Sequence, residues 1–228
     1  MKRRTFNRIT LAAAGMAVVS KTQAAPGNPI YLGGPVFKKT NDPQQWANAV
    51  KEVGYSAAYC PLRPDAGDDD VNAYQKAARE NGIIIAEVGA WSNPISPNQE
   101  EREKAFKKCV DSLELAERIG ARCCVNISGS RGEEWAGHDP KNLTKETFDL
   151  IVETTRAIID SVKPKRTYYS LETMPWAYPD SVDSYVDLIK AIDRKAFAAH
   201  FDPVNLICSP QRYYSIPEII RDGFKKLG

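Results

Sequence analysis

The sequence predicts an α/β fold of the (β/α)8 TIM-barrel type, with about six of the eight βα units present in this chain. Three observations lead there. Short β-forming runs alternate strictly with longer amphipathic runs, six times in succession. Such alternation demands parallel strands, because each helix carries the chain back across a right-handed crossover. Polar residues also stand at the carboxyl ends of several runs, Glu87, Asn126, Glu172 and Asp202, whereas an open doubly wound sheet would gather them at one switch point.

The units follow in order. "IYLGGPVF" (30–37) precedes a helix over 43–53, with Asp42 as cap and Pro43 in the first turn. Its Gly33-Gly34 pair is not G-x-G-x-x-G, so no dinucleotide-binding loop is expected. "YSAAYCP" (55–61) leads to a helix over 69–81, closed by Gly82. "IIIAEVGAW" (83–91) leads to one over 98–119, where Phe106, Val110, Leu113 and Ala116 keep helical spacing and Gly120 ends it. "RCCVNISG" (122–129) precedes 144–162, opened by Thr144 ahead of Glu146. "TYYSLETM" (167–174) precedes 180–195, and "FAAHFDPV" (197–204) precedes 216–227.

Residues 1–24 stand apart: a basic start with Arg3 and Arg4, an apolar stretch from Ile9 to Val19, then Thr22-Gln23-Ala24. This reads as a twin-arginine export signal, which would deliver a folded domain, residues 25–228, to the periplasm or outside the cell. The apolar stretch is about half the roughly 20 residues of a membrane span, so no stable membrane insertion is expected after cleavage, with a permanent N-terminal anchor as the alternative. Lys and Arg number 31 against 29 Asp and Glu, which leaves no electrostatic footprint for nucleic acid. Five cysteines without a C-x-x-C pair read as buried free thiols.

The strand-end acids carry the chemistry. Alternation along the fifth run places Tyr168, Ser170 and Glu172 on one face and Tyr169 and Leu171 on the other. In the sixth, Ala198, His200 and Asp202 share a face. Parallel neighbours lie about 4.8 Å apart, so Glu172 and Asp202 are expected to point into one mouth. Two close carboxylates repel, and a divalent cation removes that penalty. Oxygen ligands suit magnesium or manganese, and a histidine in the set widens the choice to cobalt, iron or zinc. The alternative is a pair of strand-end salt bridges.

Together the leader, the six repeats, "SLETMPW" (170–176) and "HFDPVN" (200–205) resemble the xylose isomerase-like TIM barrels of the sugar phosphate isomerase/epimerase superfamily. The resemblance implies one metal held by a glutamate, an aspartate, a histidine and a second glutamate from successive late strands; Glu172 matches the first and Asp202 the second. The last two ligands belong to strands seven and eight, which the sequence lacks. At about 250 residues for a full barrel, it falls roughly 50 to 70 short, leaving the first and sixth strands as open edges and the metal weakly held.

The implied reaction is proton transfer beside a carbonyl of a sugar or keto-sugar, with Glu172 as ligand and base and Asp202 as ligand only. β-Elimination or hydration of an oxidised sugar is a close neighbour. Further candidates for substrate binding are His200, Glu87, Trp91, Trp176 and Asn205. His200 can instead orient Asp202, Glu87 can form a salt bridge, the tryptophans can pack, and Asn205 can cap the next segment. Arg131 can bind an anionic group and His138 can enter the mouth, although a solvated loop explains both. A phosphodiester-cleaving relative needs several histidines, and this chain has 2. A noncatalytic sugar-binding module is the remaining rival.

Overall fold

Helix boundaries follow from the capping residues. In the computed structural model, which describes residues 30–228, Asp42 accepts from the Gln45 N–H at 2.7 Å and opens α1 (Pro43–Glu52). Asn98 opens α3 (Gln99–Ile119), and Gly120, at φ 71°, closes it in the left-handed region. Thr144 opens α4 (Lys145–Val162), and Ser181 with Ser184 forms a reciprocal cap on α5 (Val182–Ile192), which is shorter than the predicted 180–195. The export signal expected over residues 1–24 lies outside the described residues. Among those described, no helix is long and apolar enough to cross a membrane.

With α2 (Asp68–Glu80), these helices connect six parallel strands: β1 (Gly33–Gly34), β2 (Ala57–Tyr59), β3 (Ile84–Gly89), β4 (Cys123–Asn126), β5 (Tyr168–Glu172) and β6 (Phe197–His200). Their order in the sheet is their order in sequence, the sequential winding of a TIM-type barrel. Within the described residues β1 and β6 each pair with one neighbour, as expected of six units. A five-residue helix, α6 (Pro210–Tyr214), capped by Ser209, precedes α7 (Ile216–Leu227) and was not foreseen.

Each strand has a helix-facing row and an inward row. The helix-facing side chains Ala58, Ile85, Val88, Cys124, Tyr169, Leu171 and Phe197 pack against Trp46, Leu113, Ile151, Ile158, Tyr185 and Leu188 in one core. Burying an aliphatic or aromatic side chain there stabilises by about 1.5–3 kcal/mol each. β1 is a close-approach strand: a Cβ on Gly33 would lie 2.7 Å from the Ala57 carbonyl oxygen, so the Gly-Gly pair serves strand packing. The predicted run 30–37 contributes only these two residues as strand.

Two local features set the inward row. Between Ala58 and Tyr59 the β2–β3 register slips: Ala58 faces Ile85, but Tyr59 faces Glu87. The extra residue in β3, Ala86, is a bulge that switches the faces beyond it. Ile83 and Ile85 therefore pack toward the helices, then Val88 and Ala90 do, which leaves Glu87 turned inward. At the other side, Glu117 of α3 accepts from the backbone N–H groups of Lys165, Arg166 and Thr167 and fixes the chain leading into β5.

Four of the five cysteines are buried or half-buried, and all are free. Burial pushes the Cys60 and Cys123 thiols up to about 11. Cys208 corrects the buried reading: it is exposed, and its sulfur accepts from the Arg212 guanidinium at 3.5 Å.

Candidate functional site

The strand-end acids sit where β5 and β6 leave the sheet. The register pairs Glu172 with His200, two strand-final residues on the same inward face. Asp202 follows two residues later and is stitched to the β5 exit by Thr173, whose hydroxyl donates to the Asp202 carbonyl at 2.7 Å and accepts from the Asp202 N–H at 2.9 Å. Asp202 Oδ1 accepts from Val204 N–H at 2.8 Å, turning the chain at Pro203 and fixing the carboxylate. The two carboxyl groups are near enough for the charge of Asp202 to bear on Glu172.

Electrostatics follow from this crowding. Burial first, then the charges of Asp202 and Glu87, hold the Glu172 carboxyl above its ordinary range, although the His200 imidazole works the other way. His200 reaches across the mouth from β6 to β3, where its Nε2 lies 3.0 Å from Glu87 Oε2. Burial opposes its protonated form, but the hydrogen bond and charge of Glu87, with Glu172 and Asp202 nearby, raise its pKa overall. The His200 Nδ1 atom is buried without a hydrogen-bond partner. Glu87 thus makes the salt-bridge contact given as its alternative reading, with His200 as the partner.

A buried hydroxyl holds the two strand ends together. Tyr185 of α5 accepts from the Leu171 and His200 N–H groups at 3.2 and 2.9 Å and donates to the Leu171 carbonyl. Burial pushes its phenol far up, so it remains a donor at every physiological pH.

The other expected residues divide. Trp91 folds over the end of β3: a Cβ on Gly89 would meet the Trp91 Nε1 at 2.2 Å. Trp176 donates its indole N–H to the Ala136 carbonyl at 3.0 Å and meets His138 edge-on, so it braces the β4–α4 loop. Arg131 is likewise structural, donating to the Ile95 carbonyl. Asn205 caps no helix, since Ser209 caps α6; its amide instead leans on the Met174 sulfur, and its N–H joins the Asp202 turn. Asn126, counted among the strand-end polar residues, faces away from the mouth: it is fully buried, accepts from the Ser92 N–H at 2.9 Å and reaches Cys109 and Tyr169.

One mouth residue was missed. Tyr59 ends β2 opposite Glu87, and its phenol is raised by burial and by the charges of Glu87 and Glu172. Its signal was present: "AAYCP" has a polar strand-final residue with a proline shortly behind, as do "SLETMP" and "HFDP".

The donor set fits a hard divalent cation in part. Glu172 and Asp202 supply adjacent carboxylates whose mutual repulsion a cation relieves, and magnesium commonly takes one or two carboxylates with water and substrate oxygens completing its shell. Among the described residues no three His, Cys, Asp or Glu side chains converge in ligating geometry.

Comparison with known proteins agrees with this architecture. D-psicose 3-epimerase with D-tagatose from Clostridium cellulolyticum H10 superposes with a TM-score of 0.68 at 19% identity, over 87% of this chain and 71% of that one. The probable 3-DHS dehydratase AsbF, involved in petrobactin synthesis in Bacillus anthracis, gives 0.63 at 14% identity, over 87% and 71%. A xylose isomerase-like TIM barrel protein from Mycobacterium smegmatis in complex with magnesium gives 0.53 at 18% identity, over 78% and 64%. Identities this low carry the fold alone, and no curated protein matches the sequence. Residues 47–227, from within α1 to the end of α7, match the family described as xylose isomerase-like TIM barrel, and the chain belongs to that family.

Proposed function

We propose that the mouth catalyses proton transfer on a sugar or keto-sugar, isomerising or epimerising it through an enediolate with the help of one divalent cation. The observation that carries this reading is the meeting of Glu172 and Asp202 at adjacent strand ends, with His200 and Glu87 beside them. Glu172 and Asp202 would hold the ion, magnesium or manganese on donor type, with cobalt or zinc if an imidazole joins. Such an ion polarises the substrate carbonyl and offsets the charge that develops on its oxygen.

The chain's own residues do the rest. Glu172, half-buried with its carboxyl held above the ordinary range, removes the proton from the carbon next to the carbonyl. Returning that proton to the neighbouring carbon isomerises the sugar, whereas epimerisation needs a second acid to protonate the same carbon from the opposite face. Glu87, His200 and Asn205 bind hydroxyls, Trp91 offers a ring face, and Trp176 shapes the loop above. Export by the twin-arginine route, proposed from residues 1–24, would place this activity in the periplasm or outside the cell.

A lyase or dehydratase reading is the second choice, favoured by the Glu87–His200 pair beside Glu172, where a protonated imidazole can donate to a leaving hydroxyl.

The test is solvent exchange. In deuterium oxide with manganese, the protein is expected to wash deuterium into carbon-bound positions of D-fructose or D-tagatose, followed by proton NMR, and to stop on chelation. Sugar binding that survives chelation without any exchange would make the protein a noncatalytic binding module instead.

A further inference from the structure

The segments that enter the strands from the other end of the sheet carry a charge pattern of their own. Arg79 stands in the last turn of α2, in "AARENG" (77–82), Arg122 directly before β4, in "RIGARC" (118–123), and Arg166 shortly before β5, in "KPKRT" (163–167). All three lie toward the amino ends of the strands, whereas Glu87, Glu172 and Asp202 stand at or beyond the carboxyl ends. Sequential parallel winding sets β3, β4 and β5 side by side, and the three arginines line one pocket of about 470 Å³. That volume is in the range of small-ligand sites.

The positive charge of this pocket is only partly offset. Among the described residues no Asp or Glu lines it, and the Arg79 and Arg122 side chains make no hydrogen bond or ion pair. The acids nearby are engaged: Glu80 pairs with Lys76 at 3.9 Å, and Glu117 Oε2 accepts from the three backbone N–H groups leading into β5, while its Oε1 lies 3.7 Å from Arg166 Nε. Helix-end carbonyls, whose partial negative charge repels an anion, already have donors. The Arg118 carbonyl accepts from Gln75 Nε2 at 2.8 Å and from Arg166 Nη2 at 3.1 Å, and the Glu117 carbonyl also accepts from Arg166. Those bonds tether the Arg166 guanidinium and leave its Nη1, 3.9 Å from the place of a Cβ on Gly120, without an acceptor among the described residues. Ala78, Ile84, Ile119 and Ala121 make the floor apolar.

We propose that this pocket binds a small phosphate monoester, its phosphate against the guanidinium groups and its apolar body on the floor. A guanidinium fork matches two phosphate oxygens at once, and an anion relieves the repulsion among three cations. A bare phosphate ion would fill little of the pocket and leave the floor wet, so an organic ester is the better match. The site lies at the opposite end of the strands from the mouth and does not rest on the sugar reading.

The experiment is a calorimetric titration of the full chain, without added metal and at fixed ionic strength, with phenyl phosphate, inorganic phosphate and phenol. Phenyl phosphate is expected to bind once per chain, at least about tenfold more tightly than inorganic phosphate, and phenol not measurably. Arg79→Gln and Arg122→Gln, both at exposed positions, should each weaken phenyl phosphate about tenfold. Arg63→Gln, which removes the same charge beyond the carboxyl end of β2, should leave it unchanged. Equal affinity for phenyl phosphate and inorganic phosphate overturns the ester assignment. Binding indifferent to the Arg79 and Arg122 substitutions, an equal loss in Arg63→Gln, or no binding of either phosphate overturns the site.

Discussion

Glu172→Gln is expected to lower turnover by about 10³-fold while leaving the fold intact, because the amide can neither take a proton nor neutralise a cation. The pH behaviour separates this from a packing effect. With the Glu172 carboxyl raised by burial and by Asp202, the rate in the wild type should climb with pH through a value above the ordinary glutamate pKa, since only the carboxylate is a base. Stability should run the other way. A carboxyl whose folded pKa lies above its unfolded value contributes stability that is fully present below the unfolded pKa and lost as pH rises through the folded one. His200, also raised, adds a loss of the same sign at pH above the ordinary histidine value. Glu172→Gln should therefore be at least as stable as the wild type near neutrality and flatten the lower part of that decline. Denaturant titrations across pH check the stability, and deuterium wash-in checks the rate; a variant with unchanged exchange would remove Glu172 from the chemistry.

Tyr185→Phe should cost about 2 kcal/mol of stability, far more than the loss of one exposed hydroxyl. Its oxygen accepts from the N–H groups of Leu171 and His200 in a fully buried position, and phenylalanine would leave both donors without a partner. Because those donors sit beside Glu172 and at His200, turnover should fall with stability, with the His200–Glu87 contact loosened. Chemical denaturation measures the first effect, and the imidazole NMR signals measure the second, since His138 and His200 are the only two histidines. A change below ~0.5 kcal/mol would mean that water replaces the hydroxyl there.

Much of this arrangement can be read from the chain, because β–α alternation fixes the parallel sheet and single residues fix the helix ends. Asp42, Thr144 and Gly120 act where the sequence places them. Strand ends were harder, since a polar residue there can face either side. Asn126 and Glu87 look equivalent in sequence, yet Asn126 is committed to α3 through Cys109, while a bulge at Ala86 turns Glu87 inward. Simple alternation from Ile83 and Ile85 would have sent Glu87 toward the helices, and nothing local in "IIIAEVG" announces the slip. Tyr59 was overlooked because a tyrosine in a β-run reads as core, although its position before a proline matches that of the acids. The contact between Glu87 and His200 joins strands that are not neighbours, a product of sheet curvature that no short motif encodes.

Manganese titration followed by electron paramagnetic resonance tests the shared cation most directly, using the protein and its Glu172→Gln and Asp202→Asn variants. One weakly held ion per chain, weakened further by at least about tenfold by either single substitution, is the predicted result. Binding that is indifferent to both substitutions, or no bound ion at all, would contradict it.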